Sequence, residues 1–361
     1  MMASVAETSL IANQVVAAAR VAKAFEIGNQ GPASGTPATI AFHRNALQFH
    51  FVDSPHRLTR REATRLLGGT AAALCFSRKM ANAQGPSDDP ITRRIPSSGE
   101  KLPVIGLGTW QTFDVDPGQS APLAEVLSTF VKLGGRVIDS SPMYGRAEQV
   151  IGDLLTKLKL RDSLFLATKV WTRGQQAGID SMERSFARLQ TKTIDLMQVH
   201  NLVDAETQLR TIREWKAQGR FRYLGVTHYE AGAFAEVAKI LAREKLDFVQ
   251  INYSIMEREA EEKILPLAQE RGIGVIVNRP FGGGDLFSRV RGKPLPDFAA
   301  EFDCTSWAQF FLKWIIANPA VTCAIPATNN VQHLEDNMRA GVAKLPDEKI
   351  RQRMIEALTK L

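Results

Sequence analysis

Two kinds of hydrophobic pattern alternate along the chain from residue 91 onward. Short apolar runs rich in β-branched residues predict eight β-strands, at residues 104–108, 136–139, 164–169, 194–200, 223–226, 248–252, 274–277 and 322–325. Longer stretches with helical spacing of apolar residues predict helices, at residues 123–133, 147–158, 180–189, 206–218, 233–244, 259–271, 306–317 and 331–341. Strand and helix therefore alternate through most of the sequence.

This alternation predicts an α/β protein whose strands form one parallel sheet. Eight strand–helix units in roughly 250 residues fit a (β/α)8 TIM barrel, so we expect residues 91–361 to form a single domain of that fold. A doubly wound sheet would carry a GxGxxG turn after its first strand, and the sequence has none there. Residues 93–102, with the turn Ser97-Ser98-Gly99-Glu100, predict an N-terminal β-hairpin that closes the barrel floor.

Composition and charge narrow the function classes. Hydrophobic residues make up 44% of the chain and charged residues 23%, which is typical of a globular protein and excludes disorder of the whole chain. The formal net charge of +7 is concentrated at one end, because residues 1–83 hold nine of the 45 basic residues but only four of the 38 acidic ones. The remainder is nearly neutral, so we expect no nucleic-acid partner.

The N-terminal part of the chain has the order of an export signal. Arg60 and Arg61 precede a short apolar stretch at residues 66–76, and Ala81-Asn82-Ala83 follows as an A-x-A cleavage site. Paired arginines in this position resemble a twin-arginine signal, which moves folded proteins through the twin-arginine export machinery. We therefore expect residues 56–83 to be a cleaved leader, and the mature protein to be periplasmic or secreted. A basic N-terminus on a cytoplasmic protein is the alternative.

The apolar stretch of this leader is too short and too rich in glycine for a stable membrane anchor. Residues 1–55 show no motif, and we expect them to be disordered or to result from a translation start placed too far upstream. Cys304 and Cys323 follow the leader, and an oxidising compartment would let them form a disulfide if the fold brings them together.

Four ionisable residues fall at or just after the C-terminal ends of predicted strands, where (β/α)8 enzymes place their catalysis. Asp139, Lys169 and His200 end the second, third and fourth strands, and Tyr144 follows the second strand in its loop. Each alone has an ordinary structural explanation, such as helix capping or packing. Together they can protonate a carbonyl oxygen while a hydride attacks the carbon. A metal-dependent barrel hydrolase would need more His or carboxylate ligands, so we expect no metal.

These residues and their surroundings resemble the aldo-keto reductase superfamily from about residue 93 to residue 337. The matching segments are Gly106-Leu107-Gly108-Thr109-Trp110, residues 139–145, Ala167-Thr168-Lys169, Gln198-Val199-His200, Gln250-Ile251-Asn252-Tyr253, Ile325-Pro326 and Asp336-Asn337. All four residues of the family's catalytic tetrad are present, in order: Asp139, Tyr144, Lys169 and His200.

The resemblance implies an NADP(H)-dependent oxidoreductase that reduces the carbonyl group of a small aldehyde or ketone to an alcohol by hydride transfer. Tyr144 is then the general acid, and Lys169 stabilises its phenolate. Asp139 holds the ammonium group, and His200 orients the carbonyl. The alternative is a barrel that binds a nicotinamide cofactor without catalysis, as a redox sensor or a subunit. A broken tetrad would indicate that alternative, whereas this tetrad is intact.

The resemblance also implies a cofactor site at the strand ends and the loops after them, formed by Thr109, Thr227, His228, Gln250, Asn278, Arg279, Pro280, Phe281, Gly282, Gly284, Thr328, His333, Asp336 and Asn337. The sequence departs from the family pattern in three places. His228 replaces an Asn, and residues 277–284 lack the Tyr that often stacks on the nicotinamide. Ala327, Thr328 and His333 replace groups that often bind the 2′-phosphate, so NADP(H) is expected but use of NAD(H) stays open.

Trp110 and Trp171 are expected to line the substrate pocket, because aromatic residues in a barrel mouth often do. Asn201 is expected there as well, because it directly follows His200, where many members of the resembled family have an aromatic residue. Core packing is the alternative for the two tryptophans. The glycines at residues 282–284 suit a loop whose amides approach a pyrophosphate, or a loop that is merely flexible. The sequence leaves the identity of the carbonyl substrate open.

Overall fold

A computed structural model describes residues 89–361, so the expectations for residues 1–55 and for the leader at residues 56–83 lie outside the described part. The strands are β1 (Thr92–Arg94), β2 (Lys101–Pro103), β3 (Leu107–Gly108), β4 (Val137–Asp139), β5 (Phe165–Val170), β6 (Ile194–His200), β7 (Phe221–His228), β8 (Phe248–Asn252), β9 (Gly274–Asn278) and β10 (Val321–Ala324). Strands β3 to β10 form one sheet in which neighbours are parallel and follow in chain order. Bridges from Ile105 to Ala324 and from Gly108 to Ala327 join its two edges, so the sheet closes into a barrel.

Each strand of the barrel is followed by at least one helix. The helices are α1 (Ala121–Lys132), α2 (Ala147–Leu158), α3 (Gln175–Leu189), α4 (Ala205–Ala217), α5 (Phe234–Arg243), α6 (Ile264–Arg271), α7 (Asp285–Arg289), α8 (Trp307–Ile316), α9 (Val331–Arg339) and α10 (Glu348–Thr359). The predicted (β/α)8 barrel is therefore confirmed. Within the described part of the chain, no helix is both long enough and apolar enough to cross a membrane.

The predicted element boundaries differ from the structure at a few places. The helix expected at residues 259–271 begins only at Ile264, after a short 3₁₀ turn at Glu259–Glu261. Pro266 explains this difference, because proline lacks the N–H of an α-helical hydrogen bond and is tolerated only in the first turn. Helices α7 and α10 have no counterpart among the predicted elements, and α7, with five residues, is too short to show a helical period.

The barrel interior is apolar near the N-terminal ends of the strands and polar near their C-terminal ends. Successive residues of a strand point to opposite faces, so every second residue points inward. On β5 the inward row reads Phe165, Ala167 and Lys169, and on β6 it begins with Leu196 and ends with His200. The inward-pointing residues therefore form the apolar core at one end of the barrel and a polar rim at the other end.

Strands β1 and β2 pair antiparallel and precede the barrel. Leu102 of β2 is fully buried in the same apolar cluster as Phe165 and Phe248, the first residues of β5 and β8. Tyr223, near the start of β7, donates a hydrogen bond from its hydroxyl to Glu100 at 2.8 Å. The pair of strands therefore packs against the N-terminal ends of the barrel strands, away from the polar rim.

Cys304 and Cys323 are both buried and unpaired, so the disulfide that the sequence left open is not formed in this structure. Burial raises the pKa of the Cys304 thiol to about 11. Cys323 lies in the apolar interior of the barrel, and burial raises the pKa of its thiol as well. Both thiols stay protonated at neutral pH and are therefore expected to be unreactive.

Arg93 of β1 fastens the two N-terminal strands to the barrel. Its guanidinium donates hydrogen bonds to the backbone carbonyls of Ile316, Asn318 and Val321, at the end of α8 and the start of β10. Hydrogen bonds from a charged group contribute about 1.5–3 kcal/mol each, and water replaces part of what is lost. Arg93→Ala should therefore lower the free energy of unfolding by about 2–3 kcal/mol, measured by urea denaturation.

Arg94→Ala is the matched control for this measurement. Arg94 is exposed, and its side chain makes one hydrogen bond, to the Gly99 carbonyl at 3.1 Å. Its replacement should change the free energy of unfolding by less than about 0.5 kcal/mol. Equal losses in the two variants would contradict the fastening role of Arg93.

Candidate active site

An open cavity of about 620 Å³ lies at the C-terminal ends of the barrel strands. The ends of β3, β4 and β6 to β9 and the loops that follow the strands line it. Three of the four proposed catalytic residues face it directly, namely Asp139, Tyr144 and His200. Lys169 is fully buried and contacts Asp139 and the Tyr144 ring. The structure therefore brings the four residues together.

Asp139 and Lys169 form an ion pair that is almost completely shielded from solvent. The Lys169 ammonium also donates to the Ser140 carbonyl at 2.8 Å. The second carboxylate oxygen of Asp139 accepts hydrogen bonds from the side-chain amides of Gln198 at 3.1 Å and Gln250 at 2.9 Å. Burial is the largest single effect and lowers the pKa of Lys169, but the charge of Asp139, the hydrogen bond to it and the interactions with Tyr144 together outweigh burial, and the pKa is raised. Lys169 therefore stays charged inside the barrel.

Tyr144 lies in the loop between β4 and α2, and contacts between Asp114 and the residues directly after Tyr144 hold this loop in place. Gly145 has a φ of +56°, and a Cβ there would approach the Asp114 carboxylate to 2.3 Å, so the position requires glycine. Asp114 also accepts a hydrogen bond from the backbone N–H of Arg146 at 2.9 Å. The loop thereby places the Tyr144 ring with its centroid 5.1 Å from the Lys169 ammonium.

The phenol of Tyr144 is protonated at neutral pH. Burial raises its pKa, and the positive charge of Lys169 offsets this only in part. The sequence-based expectation that Lys169 stabilises the phenolate gives the right direction for the effect of Lys169, but burial is the larger effect. A general acid must still hold its proton when the substrate binds, and the protonated phenol of Tyr144 meets this requirement.

His200 is buried beside Tyr144, with the two rings edge to face and their centroids 6.0 Å apart. Burial lowers the pKa of His200 to about 2, and the nearby charge of Lys169 acts in the same direction. The imidazole is therefore neutral at physiological pH. A neutral imidazole carries one hydrogen, with which it can donate one hydrogen bond into the cavity.

Eight of the fourteen residues expected to bind a cofactor line the cavity, namely Thr109, Thr227, Gln250, Asn278, Arg279, Pro280, Phe281 and Gly284. The other six do not line it. Gly282 belongs to the same loop after β9, and His228 ends β7 directly after Thr227. Thr328, His333, Asp336 and Asn337 all follow β10.

Polar atoms at the cavity wall lack hydrogen-bond partners. They are the side-chain oxygens of Thr112, Asn201 and Asn278 and the Nε of Arg279, all shielded from solvent and without a partner in the described part of the chain. The Gln250 side-chain oxygen, in contrast, accepts from Thr227 at 3.4 Å and from Asn278 at 3.5 Å. Buried polar groups without partners are costly, and a polar ligand in the cavity would satisfy them.

The residues after β10 are partly engaged in the fold itself. The Asp336 carboxylate accepts hydrogen bonds from Ser306 at 2.6 Å and Gln309 at 2.7 Å, which ties α9 to α8. Asn330 caps α9 by accepting the backbone N–H of His333 at 3.0 Å. A cofactor would have to compete for the Asp336 carboxylate with Ser306 and Gln309, whereas the cap engages only the backbone N–H of His333. The cofactor-binding roles of Asp336 and His333 stay predictions.

Exposed apolar side chains surround the cavity mouth. Trp110 and Met143 line the cavity with 46% and 42% of their surface exposed, and Asn201 lines it as well. Trp171 is 47% exposed and its ring lies 6.5 Å from the His200 ring, although it does not line the cavity. This exposure rules out core packing for both tryptophans. Large apolar side chains exposed at one place are typical of a binding site.

The sequence-based predictions give no role at the site to several residues that the structure places here, namely Gln111, Met143, Tyr229 and Phe287 at the cavity and Ser141 and Gln198 beneath it. Gln198 could have been found, because it precedes His200 by two residues on β6 and so points to the same face. Phe287 could not, because it lies on α7, which shows no periodic pattern.

A metal-dependent hydrolase would need a cluster of His and carboxylate ligands at the ends of the strands. In residues 89–361, no three His, Cys, Asp or Glu side chains are grouped so as to hold a metal ion. Asp139 and His200, the two candidates in the sequence, contact Lys169 and Ser141 respectively.

Comparison with known proteins identifies the family. Residues 104–357, which include all eight barrel strands, match the model of the aldo/keto reductase family. The chain belongs to the aldo/keto reductase family. Because it belongs to this family, the protein is an oxidoreductase.

Three relatives illustrate the similarity of this aldo/keto reductase to known proteins. Methylglyoxal reductase YeaE of Escherichia coli (strain K12) is 30% identical over 68% of this chain and 88% of its own length. The NADP-dependent D-sorbitol-6-phosphate dehydrogenase of Malus domestica is 24% identical over 70% of this chain and 89% of its own length. A crystal structure of an aldo-keto reductase from Klebsiella pneumoniae in complex with NADPH has a TM-score of 0.63 and 27% identity, covering 74% of this chain and 95% of that chain.

The lowered pKa of His200 predicts a pH dependence of stability. In the unfolded chain His200 binds a proton below about pH 6.5, whereas in the folded protein it stays neutral down to about pH 2. The stability contributed by the neutral ring is therefore fully present above about pH 6.5 and is lost as the pH falls, by up to about 1.4 kcal/mol per pH unit. His200→Gln should flatten this decline in urea denaturation between about pH 7 and pH 4. An unchanged slope would show that His200 is not held neutral.

Proposed function

We propose that this aldo/keto reductase is an NADP(H)-dependent carbonyl reductase that converts aldehydes or ketones to alcohols. The observation that carries the proposal is the position of Tyr144 and His200, which face one cavity beside the buried pair of Asp139 and Lys169. A protonated phenol and a neutral imidazole at this distance can both donate hydrogen to one carbonyl oxygen.

Each of the four side chains has a separate role in the reaction at the carbonyl group. Tyr144 transfers its phenolic proton to the oxygen as the carbon gains a hydride, so the C=O π bond is replaced by one C–H and one O–H bond. The Lys169 ammonium stabilises the phenolate that remains, and Asp139 keeps that ammonium charged. His200 donates a hydrogen bond to the same oxygen and orients the carbonyl group.

A nicotinamide cofactor, when bound, supplies the hydride, because no protein side chain can do so. The cavity wall fits such a group, since the unpartnered polar atoms of Asn278 and Arg279 lie at it. Thr227, Gln250 and Asn278 would hold the carboxamide. Arg279 and the glycine-rich loop at residues 282–284 would contact the phosphates.

NADP(H) is the cofactor we propose, because the Klebsiella pneumoniae relative binds NADPH and the Malus domestica relative is NADP-dependent. The chain lacks the cations that often hold the 2′-phosphate in this family. Thr328 and the N-terminus of α9 are the groups left for that phosphate. NAD(H) is therefore assayed beside NADP(H).

The cavity mouth favours an uncharged carbonyl compound with an apolar body. Trp110, Met143 and Trp171 expose indole and thioether surface there. Among the described residues that line the cavity, Arg279 is the only Lys or Arg, and it is assigned to the cofactor. We therefore propose aryl or alkyl aldehydes and ketones as substrates, in preference to phosphorylated sugars.

We also propose that residues 56–83 direct the folded protein through the twin-arginine machinery to the periplasm or beyond. The support is the order of the arginine pair, the weakly apolar stretch and the A-x-A site at residues 81–83. Export after folding would let the enzyme carry a bound cofactor with it.

A third proposal concerns β1 and β2, which we infer close the floor of the barrel. The burial of Leu102 against Phe165 and the hydrogen bond from Tyr223 to Glu100 support it. The unfolding measurements on Arg93→Ala test it, since these strands must be held in place to seal the floor.

Export can be tested by changing Arg60 and Arg61 together to lysine, which keeps the charge but removes the pair that the export receptor reads. The precursor should then accumulate in the cytoplasm, detected by cell fractionation and immunoblotting. Arg57→Lys combined with Arg78→Lys, outside the pair, is the matched control and should leave export intact. Mature protein in the periplasm from the Arg60 and Arg61 variant would overturn the proposal.

Catalysis can be tested with Tyr144→Phe, which removes only the phenolic oxygen. In the purified full chain, kcat for NADPH-dependent reduction of benzaldehyde, followed by NADPH absorbance, should fall by about 10³-fold, within the range of general acid catalysis. The Kd for NADPH, followed by tryptophan fluorescence, should change by less than about twofold, because the phenol acts on the substrate.

Tyr223→Phe is the matched control, because the Tyr223 hydroxyl contacts Glu100 near the N-terminal ends of the strands. It should keep kcat close to that of the wild type. Turnover that survives in Tyr144→Phe would contradict the role of Tyr144. Tight NADPH binding without turnover of any carbonyl compound would instead favour a cofactor-binding sensor or subunit, and parallel assays with NADH decide the cofactor.

A further inference from the structure

A hydrogen bond joins Ser141 to His200 beneath the cavity. The Ser141 Oγ lies 3.0 Å from His200 Nδ1, and both residues are buried. This is the only hydrogen bond of the His200 ring within residues 89–361. Nδ1 is therefore occupied, and Nε2 is the ring nitrogen available to a ligand in the cavity that His200 lines.

The direction of this bond follows from the other contact of Ser141. The backbone N–H of Met143 donates to Ser141 Oγ at 3.4 Å, so that oxygen already acts as an acceptor. The hydroxyl has one hydrogen to donate, and within the described chain His200 Nδ1 is the acceptor it reaches. A fully buried hydroxyl hydrogen without an acceptor would be costly. Ser141 therefore donates to Nδ1, which leaves the single ring hydrogen of His200 on Nε2.

We propose that Ser141 is a positioning residue that holds His200 in the Nε2-protonated tautomer, so that the ring presents an N–H to the substrate carbonyl oxygen. The proposal rests on the carbonyl reduction proposed above. In the opposite tautomer the Nε2 lone pair would face the carbonyl oxygen, and two acceptors do not bind each other. Ser141 thus decides whether His200 assists the reaction.

The tautomer matters because His200 does not become doubly protonated. Burial and the charge of Lys169 lower the pKa of His200 to about 2. A histidinium would donate from both nitrogens whatever its neighbours, whereas a neutral ring donates from one. In this site the neighbour of Nδ1 therefore has to determine which nitrogen faces the cavity as a donor.

The position of Ser141 in the chain also links it to the other catalytic groups. It follows Asp139 by two residues and precedes Tyr144 by three, in the loop between β4 and α2. The end of β4 and the loop after it therefore supply the ion-pair partner of Lys169, the proton donor and the residue that orients His200.

Kinetics test the proposal first. Ser141→Ala frees Nδ1 and should lower kcat about tenfold, a typical effect of losing one hydrogen bond, while the Kd for NADPH changes by less than about twofold. Ser141→Thr keeps a hydroxyl and should recover most of the loss. Ser181→Ala is the control, because Ser181 is a buried serine of α3 that does not line the cavity.

Nitrogen-15 NMR of the histidine rings reads the tautomer directly and requires no turnover. The full chain holds six histidines, and His200→Asn identifies the His200 signals by their loss. The hydrogen should lie on Nε2 in the wild type and move at least partly to Nδ1 in Ser141→Ala. A hydrogen on Nδ1 in the wild type, an Nε2 hydrogen that persists in Ser141→Ala, or an unchanged kcat in that variant would each overturn the proposal. Failure of the reductase activity itself would leave the tautomer result unaffected, so the two failures are distinguishable.

Discussion

The buried ion pair of Asp139 and Lys169 is the interaction on which the polar rim of this barrel depends. Taking two charges out of water costs several kcal/mol per ion, so such a pair persists only when further hydrogen bonds complete it. Here the Ser140 carbonyl accepts a hydrogen bond from the ammonium group, and the side-chain amides of Gln198 and Gln250 donate hydrogen bonds to the carboxylate. Loss of either partner would leave the other charge buried and unpaired, and the positions of the surrounding side chains would change with it.

The effects of this pair reach the cavity in two ways. The charge of Lys169 opposes the effect of burial on the pKa of Tyr144 and adds to its effect on His200. One cation thus eases proton release from the phenol and keeps the imidazole neutral. Gln250 donates to Asp139 and is also the residue proposed to hold the nicotinamide carboxamide, so cofactor binding and proton donation share one hydrogen-bond network.

The alternation of strand and helix patterns predicts the barrel, and the ionisable residues near the predicted strand ends, together with the resemblance to the aldo-keto reductases, predict the tetrad. The strands expected at residues 194–200 and 248–252 have the bounds seen in the structure, and their inward rows lead directly to the site. Contacts between distant segments are not encoded by any period. Nothing local shows that Ser141 meets a histidine 59 residues later, or that Asp336 is used to tie α9 to α8. The cofactor residues expected after β10 therefore remain the least supported part of the site.

The central claim is that a carbonyl compound bound in this cavity receives a hydride from NADPH on its carbon while a side chain protonates its oxygen. The most direct measurement uses the full chain, NADPH in which both C4 hydrogens are deuterium, and benzaldehyde, with mass spectrometry and NMR of the product. We predict an alcohol with deuterium bound to the former carbonyl carbon and an exchangeable hydrogen on its oxygen. Oxidation of NADPH without deuterium in the alcohol, or no alcohol at all, would contradict the claim.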